Sequence, residues 1–182
     1  MLSKPIITLQ KNTIYLSIIV VLVLSLAGFQ YHQSTQWQYQ TDNFIQQVDL
    51  SLYSHRGVAT TTKEPTLETK IAKIDQLFAQ QKSLEALAHY QQLLEEDPNN
   101  TELLLRIGVI YLQEKQYEIA SEHLQLVYAD KDAAFALDGA WFLGLLQCKY
   151  GNKKNAQKLF EEVVNGRGNY YKNAQNLLES MA

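Results

Sequence analysis

Apolar and polar positions divide the chain into three stretches. Thr13 to Phe29, TIYLSIIVVLVLSLAGF, is almost wholly apolar, the pattern of a helix that is hydrophobic all round. Residues 30–65 are polar, with one interruption. There Phe44, Ile45, Val48, Leu50 and Leu52 make residues 43–52 a short amphipathic piece whose spacing fits helix and strand alike. From Leu67 to Met181 apolar residues recur at helical spacing, with no alternating runs bounded by turns. The pattern predicts an all-α chain.

The first stretch supplies 17 apolar or near-apolar residues, about the lower limit for crossing a bilayer. Lys4 and Lys11 precede it, and no charged residue follows until Asp42. The positive-inside rule then puts the N-terminus in the cytoplasm and the rest on the extracytoplasmic, periplasmic side. A second reading is a signal peptide cleaved after Ala27, because Ser25 and Ala27 have the small-residue spacing of a cleavage site. Both readings export the C-terminal part. Phe29 stands where a lipoprotein signal needs cysteine. The expected layout is a cytoplasmic tail at 1–12, a transmembrane helix at 13–31 and a polar spacer at 32–65, with the amphipathic piece at 43–52. A helical domain follows at 67–182. The amphipathic piece either belongs to a flexible tether or docks on that domain.

The third stretch resembles itself. Shifting 67–100 onto 101–134 superimposes Ala86 on Ala120, Tyr90 on Leu124 and Leu93 on Val127. A third unit, 137–168, sets Leu143-Gly144 against Ile107-Gly108, Ala156 against Ala120 and Phe160 against Leu124. Offsets of 34 and then 36 residues are the length of a helix–turn–helix repeat. Gly108 and Ala120, like Gly144 and Ala156, are small where two helices cross closely, and Tyr90, Leu124 and Phe160 are expected to fill the gap between hairpins. Pro65-Thr66 offers a helix start, and Asn99 with Glu102 has capping-box spacing. A last helix at 170–181 carries Tyr170, Ala174, Leu177, Leu178 and Met181 in one stripe, suited to capping the open end of a stack.

These residues resemble the tetratricopeptide repeat. The second unit matches its signature with Ile107, Gly108, Tyr111, Ala120 and Val127, and the third with Leu143, Gly144, Gly151, Ala156 and Phe160. The first unit departs in its first helix, where Ile74 and Leu77 replace Gly and Tyr, and keeps Ala86, Tyr90 and Pro98 in its second. The resemblance implies three hairpins with an apolar concave groove lined by Ile71, Phe78, Leu105, Val109, Leu112, Trp141 and Leu145. It also implies a scaffold or adaptor of the small bacterial membrane-anchored kind. Of the places where chaperone-binding members hold a terminal carboxylate, only Arg106 here is basic, so that activity is not implied.

Composition narrows the chemistry. Charged residues are 19% of the chain, and residues 66–182 hold twelve basic and sixteen acidic side chains. The basic footprint of a nucleic-acid binder is missing. Cys148 is the single cysteine, so no intramolecular disulfide or multi-thiolate site forms. His89 and His123 occupy equivalent repeat places, which puts them about 10 Å apart, too far for one ion held at about 2.1 Å. No His-Glu-x-x-His, phosphate-binding Gly loop or Gly-x-Ser-x-Gly occurs. The expectation is a non-enzymatic protein with no cofactor, no metal and no nucleic acid. It would bind a protein of a membrane or envelope complex, with a regulatory subunit of such a complex as the alternative role.

Overall fold

The computed structural model describes residues 4–48, 50, 66–131 and 134–181; within the first helix it describes the side chains of 15–16, 18–29 and 37–48. The described residues form helices and no strand. They are α1 (Lys4–Gln46), α2 (Leu67–Ala79), α3 (Ser83–Glu96), α4 (Thr101–Gln113), α5 (Tyr117–Ala129), α6 (Ala136–Lys149), α7 (Lys153–Asn165) and α8 (Tyr171–Met181). Helices α2 to α7 pack as three antiparallel hairpins, each against the next, and α8 closes the far end against α7.

Local signals set the boundaries. Thr66 caps α2 by accepting from the Thr69 amide. Asn100, one residue beyond Asn99, caps α4 by accepting from the Leu103 amide at 3.1 Å, and Glu102 turns instead to Arg106. The first helix of each hairpin ends the same way. Gln81, Lys115 and Gly151 take left-handed φ of 62°, 61° and 74°, and the next amide reaches back to Leu77, Tyr111 and Gln147. That is a Schellman stop, which favours glycine. Two of the three hairpins make it without one.

Each hairpin closes on a small residue. A methyl group on Gly108 would lie 2.8 Å from Leu124 Cγ, and one on Gly144 would lie 2.8 Å from Phe160 Cδ1. Leu124 and Phe160 therefore seat on the glycine of their own hairpin rather than in the gap to the next. Ala86, Ala120 and Ala156 are fully buried at equivalent places.

The polar spacer expected at 32–65 is different in the structure. Helix α1 continues without a break through the polar stretch to Gln46. Trp37, Thr41 and Ile45, four residues apart, are buried on one face, and Leu50 is buried beyond the helix end. The composition of 30–43 hid this stripe because only Trp37 within it is strongly apolar. At the other end, α1 begins at Lys4 rather than within the apolar stretch. The rest of the expected spacer, 51–65, lies outside the described residues.

Among the described residues no helix is long and apolar enough to cross a membrane.

Candidate functional site: the concave groove

The first helices of the hairpins, α2, α4 and α6, supply the residues expected to line a groove. They do lie together, but they are covered. Ile71, Leu105, Val109, Leu112, Trp141 and Leu145 are each at most 1% exposed, and Phe78 is partly buried against the same core. The cover is the chain's own α1, which packs on α4, α6 and α8. Of the two sequence readings, partner groove or self-filled groove, the described residues show the second: α1 from Trp37 to Gln46, with Val48 and Leu50, covers it.

The contacts give α1 a direction. Thr41 hydrogen bonds with the Cys148 thiol, and Asp42 pairs with Lys149 at 2.5 Å, both at the end of α6. Phe44 sets its edge on Trp141, centroids 5.4 Å apart. Gln113, the last residue of α4, donates to the Ile45 carbonyl at 2.9 Å. Gln46 and Val48 then share a cleft with Phe78 and Ala79 of α2. The helix therefore runs from the third hairpin toward the first, across the ends of their first helices.

Trp141 is the hub. It stacks on Tyr170, centroids 5.0 Å apart and planes 9° from parallel, and touches Phe160 at 5.3 Å. Its indole N–H is buried without a partner, as is the Gln40 side-chain carbonyl on α1. A buried unpaired polar group costs about 1–3 kcal/mol. The plug therefore sits in the groove with two polar groups unsatisfied.

Beneath the groove lies a charged network. Arg106, fully buried, donates from Nε and Nη2 to the two oxygens of Asp75, each at 3.2 Å, and its Nη1 forms an ion pair with Glu102 at 3.1 Å. Tyr90 donates to the same Asp75 carboxylate. Burial opposes the arginine charge, but Asp75 outweighs it and the pKa rises. Burial first, and then Asp75, push the Tyr90 hydroxyl well above the usual tyrosine range. The arginine that might have held a partner's carboxylate is consumed within the fold.

The remaining candidate groups take structural places. Cys148 is buried, and burial pushes its thiol up to about 12, far from a nucleophile's range. His123 places Nδ1 2.9 Å from the Ile119 carbonyl and its ring beside Tyr111. His89 is exposed and lines a cleft of about 440 Å³ at the open edge of the first hairpin. Lys70 and Lys73 rim that cleft. They stand where the next hairpins bury Leu104 and Ile107, then Ala140 and Leu143, so the stack ends there on a polar face.

Residues 77–139 match a family model described as tetratricopeptide repeat. Over these residues the chain is similar to the tetratricopeptide-repeat family. The match runs from the end of α2 into the start of α6, and the hairpin geometry continues on both sides of it. No curated protein and no solved structure matched the chain. Tetratricopeptide repeats are a protein-interaction module and generally carry no catalysis.

Proposed function

We propose that the chain is a membrane-tethered, non-enzymatic adaptor. Residues 13–31 anchor it with the N-terminus in the cytoplasm, and the tetratricopeptide-repeat domain engages a protein of a membrane complex on the extracytoplasmic side. One observation carries the reading. Every described large apolar side chain from Tyr15 to Phe29 is at least 50% exposed, a continuous apolar surface far larger than soluble proteins leave in water. Ser25, inside it, satisfies its hydroxyl on the Leu22 carbonyl at 2.8 Å, as a helix in lipid requires. Washing membranes with alkaline carbonate tests the tether. The anchored protein stays in the pellet, whereas an adaptor released after Ala27 leaves in the wash.

For a partner, the relevant surface is the groove, and the plug must leave it. The two unsatisfied polar groups, Gln40 and Trp141, make the plug displaceable by a segment that pairs with them. Thr41→Cys tests this, because the new thiol faces Cys148. Oxidation locks the plug, partner capture by the full chain falls, and reduction restores it. Capture that is unchanged in the locked form places the partner on another surface.

A further inference from the structure

Helix α1 fixes which end of the domain lies nearest the bilayer, and that end has the opposite charge from the rest. Since α1 enters at the third hairpin and leaves toward the first, the third hairpin and α8 are proximal. Trp37, the first described buried residue of the docked part, is seven residues past Gln30, a rise of about 10 Å. Residues 149–182 carry six basic and three acidic side chains, whereas residues 66–148 carry six basic and thirteen acidic ones. The proximal third is net positive, and everything beyond it is strongly negative.

The positive charge is concentrated beside α1. Lys149 ends α6 next to Asp42, and Lys153, Lys154 and Lys158 follow at once on α7, the last two exposed. Among the described residues those three enter no ion pair. The placement of Lys153 and Lys154 runs against helix electrostatics, which favour acids in the first turn. Helices α2 to α6 obey it with Glu68, Glu85, Glu102, Glu118 and Asp138, and α7 has no acid there.

We infer that the Lys153–Lys158 face of α7 rests on anionic lipid headgroups, so that the domain is held against the membrane surface as well as tethered to it. The inference rests on the anchor proposed above. Basic residues near an anionic bilayer are attracted within about a Debye length, 8–10 Å at physiological salt. The acidic first and second hairpins are repelled from the same surface and face outward.

The test uses the full chain reconstituted in phosphatidylcholine vesicles with and without phosphatidylglycerol. A fluorophore on Asn155→Cys reports contact through a headgroup-linked quencher, and one on Ala88→Cys serves the distal end. With anionic lipid the 155 probe is quenched more strongly than in neutral vesicles, high salt removes the difference, and the 88 probe does not change. K154E/K158E lowers the docked fraction by roughly fivefold per lysine while the thermal melt stays put. Equal quenching at 155 in both vesicles, with the protein resistant to carbonate, overturns this inference alone. Loss of the protein from both vesicles in carbonate overturns the anchor, and this inference with it.

Discussion

Single positions carry much of the stability. Gly144→Ala and Gly108→Ala put a methyl group against Phe160 and Leu124, and each is expected to lower unfolding free energy in urea by about 1–3 kcal/mol. Lys115→Gly acts in the other direction. It removes the cost of a left-handed φ of 61° in a side-chain-bearing residue and should raise stability by roughly 0.5–1 kcal/mol. Arg106→Met strands Asp75 in the core and is expected to cost about 3–5 kcal/mol. Cys148 gives a pH signature. Its thiol is about 9 before folding and about 12 after, so the folded state favours the protonated form. Stability from this group is intact below pH 9 and falls as pH rises toward 12. In the native protein at neutral pH, a thiol reagent should leave Cys148 unmodified until the chain is unfolded.

At the level of elements, the sequence announced the hairpins, offered residues 43–52 as a docking piece and concealed the turns of α1 before it. Repeats at fixed offsets were readable because Gly108, Ala120, Gly144 and Ala156 must stay small for helices to cross. The docked turns before residue 43 and the covering of the groove were not, for two physical reasons. The buried face there includes Thr41 and is spread over a Gln-rich run, so Trp37 stood alone. The groove residues, for their part, read as an exposed apolar strip because their cover is more than 20 residues upstream. The asparagine cap was displaced by one residue because Glu102 is drawn to Arg106. A chain lacking residues 1–52 leaves Trp141, Leu105 and Leu145 uncovered. It is expected to melt well below the full chain, and to bind a fluorescent apolar dye that the full chain's repeat domain leaves alone.

At the scale of the whole molecule, charge and tether share one axis. The chain's net charge of −3 conceals a net positive stretch at 149–182 and a strongly negative one at 66–148, and neither would be visible in the total. The single helix from Lys4 to Gln46 has a rotational consequence as well. An α-helix turns about 100° per residue, so the docking face of Trp37, Thr41 and Ile45 is fixed in phase with the exposed apolar turns before it. One alanine inserted between residues 30 and 36 would swing the repeat domain by about 100° around the axis of α1, while seven would restore its bearing and lift it by about 10 Å. On the anchor proposed above, each domain thus presents a fixed compass bearing to whatever shares its membrane.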